Sequence, residues 1–80
     1  MAVLRLFASV RDAAGTNEDT VPGATVGEVL DAAGERYGEA FVLLLDRCKV
    51  WCNGEPAERH DVVTDTDEVA VLPPVSGGAT

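Results

Sequence analysis

Residues 25 to 38, TVGEVLDAAGERYG, form the clearest helix in the chain, and what they must be packed against narrows the fold sharply. Thr25 followed by Glu28 is a capping box, in which each side chain can satisfy a free backbone N–H of the first turn. Val26, Val29, Leu30, Ala33 and Tyr37 fall on one stripe at helical spacing, while Glu28, Asp31, Glu35 and Arg36 can face water. Gly27 and Gly34 each weaken such a helix by about 1 kcal/mol relative to alanine, so packing has to hold it. Gly38 is a natural stop. A helix with one apolar stripe needs an apolar surface to lie on.

The rest of the chain supplies short strands for that surface. In AVLRLFA, residues 2 to 8, Leu4, Leu6 and Ala8 share one face and Val3, Arg5 and Phe7 the other, the alternation of a strand with one side in the core. RDAAGTNED reads as a polar turn around Gly15, and residues 17 to 22 as a short polar second strand. EAFVLLLDR, residues 39 to 47, has the apolar density of a buried turn of helix. KVWCNGEPAE reads as a hairpin, with Val50 and Cys52 opposing Trp51 and with Asn53-Gly54 as its two-residue turn. Pro56 limits the returning strand to a short or edge position. DVVTDTDE is a turn-rich connection, and EVAVL, residues 68 to 72, is the last strand, with Val69 and Val71 on one face. The order strand, strand, helix, hairpin, strand gives an α+β domain, residues 1–72, in which one main helix lies across a mixed sheet. A flexible tail, residues 73–80, follows.

Charge and composition exclude several functions. The 80 residues carry 14 acidic and 6 basic side chains, a net charge of −8, which repels nucleic-acid phosphates and suits a basic groove on a protein partner. The absence of a long apolar run or a basic leader predicts no membrane span and a cytoplasmic location. Cys48 and Cys52 would lie about 13 Å apart along a strand, beyond disulfide reach, and read as reduced, partly buried thiols. His60 is the only histidine and reads as a surface residue; zinc would need more ligands. Asp61, Asp65, Asp67 and Glu68 lack a calcium-loop pattern and fit turn chemistry. No phosphate-binding loop is present. No bound cofactor or metal is expected.

The unusual feature is the close, LPPVSGGAT. Pro73 and Pro74 lack the N–H that would extend a ladder, so they end the strand and direct the chain away from the body. From Pro73 to Gly78 an extended tail reaches roughly 19 Å. Gly77 and Gly78 have no side chain to collide with a narrow channel. Such a tail suits insertion into another protein's active site, where a glycine carboxylate, activated as an acyl-adenylate, could be attacked by sulfur or by a lysine. The carrier would need no catalytic side chain of its own.

Two motifs at opposite ends together make the chain resemble the MoaD/ThiS family of ubiquitin-like sulfur carriers. The opening F-A-x-x-R-[DE]-x-x-G is present as Phe7, Ala8, Arg11, Asp12 and Gly15, and the close D-x-D-E-V-A-x-x-P-P-V-[ST]-G-G runs from Asp65 to Gly78. The Pro-Pro-Val stalk is most like the small subunits of molybdopterin synthase. The resemblance implies a β-grasp fold. It implies that Gly78 is adenylated and then thiocarboxylated by an E1-like adenylyltransferase/sulfurtransferase, which is where ATP is used. It also implies that Pro73, Pro74, Val75, Ser76, Gly77 and Gly78 enter the large synthase subunit, and that sulfur passes there to cyclic pyranopterin monophosphate. The family's apolar docking patch maps onto Phe7, Leu72 and Pro56. The departure is Ala79-Thr80, which leaves Gly78 without a carboxylate until both residues are removed. Sulfur carriage toward cysteine or thiamin-type products is an alternative, as are a ubiquitin-like modifier forming isopeptides and a β-grasp binding module with an inert tail.

Overall fold

The computed structural model describes residues 1–74. Eight elements follow in the order β1 (Ala2–Leu6), α1 (Ala8–Ala14), β2 (Glu18–Val21), α2 (Val26–Tyr37), α3 (Glu39–Leu45), β3 (Lys49–Cys52), β4 (Glu55–Pro56) and β5 (Glu68–Leu72). The five strands form one sheet in the order β2-β1-β5-β3-β4. β1 and β5 run parallel, with Leu4 opposite Val69 and Leu6 opposite Val71. The other pairings are antiparallel. This mixed sheet carrying helices on one face is the β-grasp arrangement. The core is the alternating inner face of the strands, Leu4, Leu6, Val69 and Val71, against Val10, Val26, Val29, Leu30, Ala33 and Phe41 of the helices.

α2 starts as its cap residues dictate. The Thr25 hydroxyl accepts from the Glu28 N–H at 3.2 Å. The return half of the box is displaced by one residue, because Glu28 Oε1 accepts from the N–H of Ala24, not Thr25, at 2.9 Å. The two helix-weakening glycines have a packing reason. A Cβ at Gly34 would stand 2.8 Å from Val42 Cγ2 of α3, and one at Gly27 would stand 3.1 Å from the Arg59 carbonyl. Both are positions where a neighbouring segment lies against the helix backbone.

Four expectations are corrected. The stretch around residues 8–14 is a helix, α1, and not a turn, with Val10 fully buried beneath it. Gly15, read as the centre of a turn, is its left-handed C-cap at φ 80°. The first strand consequently ends at Leu6: Ala8 is exposed, with φ 53°, so it does not extend the core face. The expected mixed sheet with one main helix, α2, stands, and the two seven-residue helices α1 and α3 pack beside it. α3 is also less buried than its composition suggests, since only Phe41 is sealed while Val42 and Leu43 are exposed.

The end of α2 is fastened to β2. Arg36 donates to Asp19 Oδ2 at 2.7 Å and to the Thr20 carbonyl at 3.1 Å, so it does not simply face water. The Tyr37 hydroxyl donates to the same carboxylate, and the Tyr37 ring meets Phe41 edge-on with centroids 5.2 Å apart. The hydrogen bond from Tyr37, with that from Arg36, holds the Asp19 carboxyl below its usual range. Desolvation, with the bond to Asp19, pushes the Tyr37 phenol up to about 12. Raised folded-state pKa values favour the protonated form. The Tyr37 contribution is thus complete below pH ~10, the free phenol's value, and is lost as pH rises through about 12. Tyr37 is the only tyrosine. Its phenolate absorbance is expected to titrate near pH 12 in the folded protein and near ~10 in denaturant. A native titration near ~10 would show the phenol to be open to water and free of Asp19 in solution.

Candidate functional site at the root of the tail

β5 leads into the tail, so its fixation sets where the tail starts. It lies mid-sheet between β1 and β3. Its entry is clamped by Asn53 at the tip of the β3–β4 hairpin. Asn53 Nδ2 donates to Asp67 Oδ1, and its Oδ1 accepts from the Glu68 N–H, both at 2.9 Å. Asn53 and Gly54 take φ of 53° and 85°, the left-handed pair that a two-residue hairpin turn requires. The acidic run serves turns as expected. Asp67 Oδ2 and Asp61 Oδ2 each accept a backbone N–H at 2.8 Å, from Thr64 and Glu58 respectively. The Asn53 bond is the main reason the Asp67 carboxyl is held low.

At the other end of β5, Leu72 is the last paired residue, opposite Lys49. The parallel pairing to β1 stops at Leu6–Val71, where Phe7 leaves the strand to open α1. Phe7 and Leu72 therefore emerge at the same end of the sheet, and both are exposed, at 41% and 37%. Pro73 is half-buried and Pro74 exposed. Pro56 is exposed on the edge strand β4, paired with Trp51. Trp51 in turn pairs with Ala70, two residues before Leu72. Paired residues share a face, and Val69 and Val71 take the inner one. The helix-free face thus carries Val3, Ala70, Trp51, Pro56 and Leu72, with Phe7 at its upper end and the Arg5–Glu68 ion pair (3.1 Å) in its middle.

Phe7, Leu72, Pro73 and Pro74 accordingly lie at one end of the sheet, and Pro56 shares the helix-free face with Leu72 but sits further down it, level with Ala70 and beside the hairpin turn. Val75, Ser76, Gly77 and Gly78, like Ala79 and Thr80, lie outside the described residues. Trp51 and Ala70 join this face without any local sequence signal that would assign them to it. The opposition of Trp51 to Val50 and Cys52 is visible in the sequence, but only the register with Val71 shows which side is the core.

Among the described residues, the two cysteines and the histidine are not placed as reactive groups. Cys48 and Cys52 are free, and burial pushes both thiols up, Cys52 further through the carboxylates of Asp67 and Asp61. Thiols so placed stay protonated near neutrality and are poor nucleophiles. The Cys48 Sγ donates to the Leu44 carbonyl at 3.1 Å. His60 is a surface residue, 3.6 Å from Glu58 and 3.7 Å from Asp61. Among the described residues no group of His, Cys, Asp and Glu is arranged to hold a metal, and no helix is long and apolar enough to cross a membrane.

Known proteins share both the fold and the sequence pattern. The small archaeal modifier protein 1 of Haloferax volcanii is 37% identical over 92% of this chain and 97% of its own length. The solution structure of small archaeal modifier protein 1 from Methanosarcina acetivorans superposes with a TM-score of 0.87 at 28% identity, covering 96% of this chain and 95% of the other. A Pyrococcus furiosus protein named as molybdopterin converting factor subunit 1 gives a TM-score of 0.79 at 27% identity, over 92% and 97% of the two chains. The model of the ThiS family matches residues 4–78, from within β1 to the Gly-Gly pair. The chain belongs to the ThiS family, the ubiquitin-like sulfur carriers of ThiS/MoaD type.

Proposed function

We propose that this chain carries sulfur on the carboxylate of Gly78 and donates it in the synthesis of molybdopterin. Removal of Ala79 and Thr80 exposes that carboxylate. An E1-like partner lets it attack the α-phosphate of ATP, expelling pyrophosphate and leaving an acyl-adenylate. Hydrosulfide-level sulfur then attacks the carbonyl, the C–O bond to the phosphate breaks, and AMP leaves with its electron pair. The product is a thiocarboxylate, a soft nucleophile on a tail with no side chain at its tip. The large subunit of molybdopterin synthase would receive Pro73 to Gly78 while the Phe7, Leu72, Trp51 and Pro56 face docks on its surface. Aromatic and apolar anchors of this kind carry most of the energy in interfaces.

The observation that carries this reading is the placement of β5: a clamped central strand that stops at Leu72 and passes directly into Pro73-Pro74 beside an open apolar face. The match to the family ends at residue 78, which supports Gly78 as the working terminus. A second reading is favoured by the likeness to small archaeal modifier protein 1: the same activated glycine would join lysines of other proteins. Intact mass of the protein from its native host separates the two. Sulfur carriage predicts a chain ending at Gly78 with a fraction showing the oxygen-to-sulfur gain. Conjugates without any thiocarboxylate would favour the modifier, and uniform intact Thr80 in cells making the cofactor would defeat both.

A further inference from the structure

The helix layer, on the other side of the sheet from Trp51, carries an open groove of its own. α2 and α3 approach closely because Gly34 has no side chain where Val42 lies. Beside that contact a groove of about 540 Å³ opens to solvent, with Leu30, Gly34, Val42 and Leu45 as its apolar lining. Val42 is 43% exposed, so apolar surface there is left facing water. Arg59 builds a wall of the groove. Its carbonyl accepts from the Gly27 N–H at 2.8 Å, and its guanidinium donates to the Gly27 carbonyl at 3.3 Å and to Asp31 Oδ1 at 2.7 Å. Two more carboxylates, Glu35 and Asp46, line the same groove. None of the ion pairs among the described residues uses either of them. A cation arriving from outside can therefore pair with both without breaking an existing contact.

We propose that this groove docks a basic amphipathic helix of a partner protein, its apolar side chains over Leu30, Val42 and Leu45 and its lysines or arginines against Glu35 and Asp46. The charge selects the occupant. A second copy would bring the same carboxylates on a chain of net charge −8, and two such surfaces repel. Phosphate-bearing surfaces are repelled in the same way. A groove beside packed helices suits an amphipathic helix, which lays its apolar face inward and keeps its charged flanks in water. Pairs at a wet rim add little affinity singly and act mainly in choosing the partner and speeding its arrival, so the apolar contact holds the complex. The groove and the helix-free face lie on opposite sides of the sheet, so both can be occupied at once. The proposal requires no chemistry at Gly78.

The test titrates the 80-residue chain with a synthetic peptide of leucines and lysines, LKKLLKLLKKLLKL, whose leucines take one face of a helix. Salt is held at about 0.15 M, where exposed charges more than about 8 Å apart are largely screened. The expected result is backbone amide NMR shifts gathered at Leu30 to Glu35 and Val42 to Asp46. The emission of Trp51, the only tryptophan and on the opposite face, should not move. A peptide with serine in place of every leucine should bind at least ~10-fold more weakly. Reversing both free carboxylates, Glu35→Lys with Asp46→Lys, should weaken binding of the leucine peptide by about 10-fold or more, since each change removes an attraction and adds a repulsion. The same charge change at the exposed Glu18 and Glu55 should cost less than ~3-fold. Equal weakening by the two double variants, or equal binding of the serine peptide, would reduce the effect to general charge attraction and overturn the proposal. So would shifts on the strands with a changed Trp51 emission, or no binding. Shifts at the groove on concentrating the chain alone would assign it to a second copy and overturn the proposal as well.

Discussion

Phe41→Ala is expected to lower the melting temperature by roughly 12–40 °C, close to losing the fold at ambient temperature. Phe41 is fully buried, and its ring is the contact by which α3 meets Tyr37 at the end of α2. α3 has seven residues, too few to be helical without packing. Truncating a buried phenylalanine costs about 3–5 kcal/mol, lost transfer energy plus the residual cavity. A domain of this length has only about 4–12 kcal/mol in total, and each kcal/mol moves the midpoint of a small domain by about 4–8 °C. Leu43→Ala in the same helix is the control: its side chain is 63% exposed, and the change should stay within about 0.5 kcal/mol. Thermal melts followed by circular dichroism decide the matter. Equal melts for the two variants would mean that α3 is not held by Phe41.

The contrast between those two residues shows what the sequence conveys and what it does not. EAFVLLL is apolar after Glu39, and density alone does not say which side faces in; Phe41 is sealed and Leu43 is not because α1 and α2 pack against α3 and leave its Leu43 side open. α2 itself was legible, since a cap at Thr25 and five apolar residues at helical spacing fix both its start and its inner face. The hairpin was legible because Asn53-Gly54 suits left-handed φ at both positions. α1 was not: ASVRDAA offers one large apolar residue, Val10, and polar neighbours that suit a turn equally well. What makes it a helix is the pocket beneath Val10, together with a left-handed cap at Gly15, and the pocket belongs to the assembled fold. The candidate site divides in the same way. Phe7 follows from strand parity and its grouping with Leu72 and Pro56 from the family resemblance, whereas Trp51 joins them only through the register of β3 against β5, a long-range pairing that no local pattern encodes.

The largest functional effect is expected from two residues beyond Gly78. A chain ending at Gly78 should support ATP–pyrophosphate exchange with its adenylating partner, and the 80-residue chain should fall at least ~100-fold below it, since a misplacement of even ~1 Å at a reacting centre can cost that much. In the longer chain the Gly78 carbonyl is an amide to Ala79 and has no oxyanion with which to attack phosphorus. The carboxylate that is present belongs to Thr80, two residues further on, displaced by about 7 Å in an extended chain. It is also attached to a β-branched residue, where a channel shaped for glycine has no room for a Cβ. A chain ending at Gly77 supplies the control for length, because it keeps a glycine carboxylate but withdraws it by about 3.5 Å. It too should be inactive if position, and not merely residue type, decides. All three chains share β5, its Asn53 clamp and the open face, so their thermal melts should coincide and any difference in exchange is a property of the tip. Equal exchange by the 80-residue and the Gly78-ended chains would show that the partner does not act on Gly78, and would leave the Pro73-Pro74 stalk without the role assigned to it.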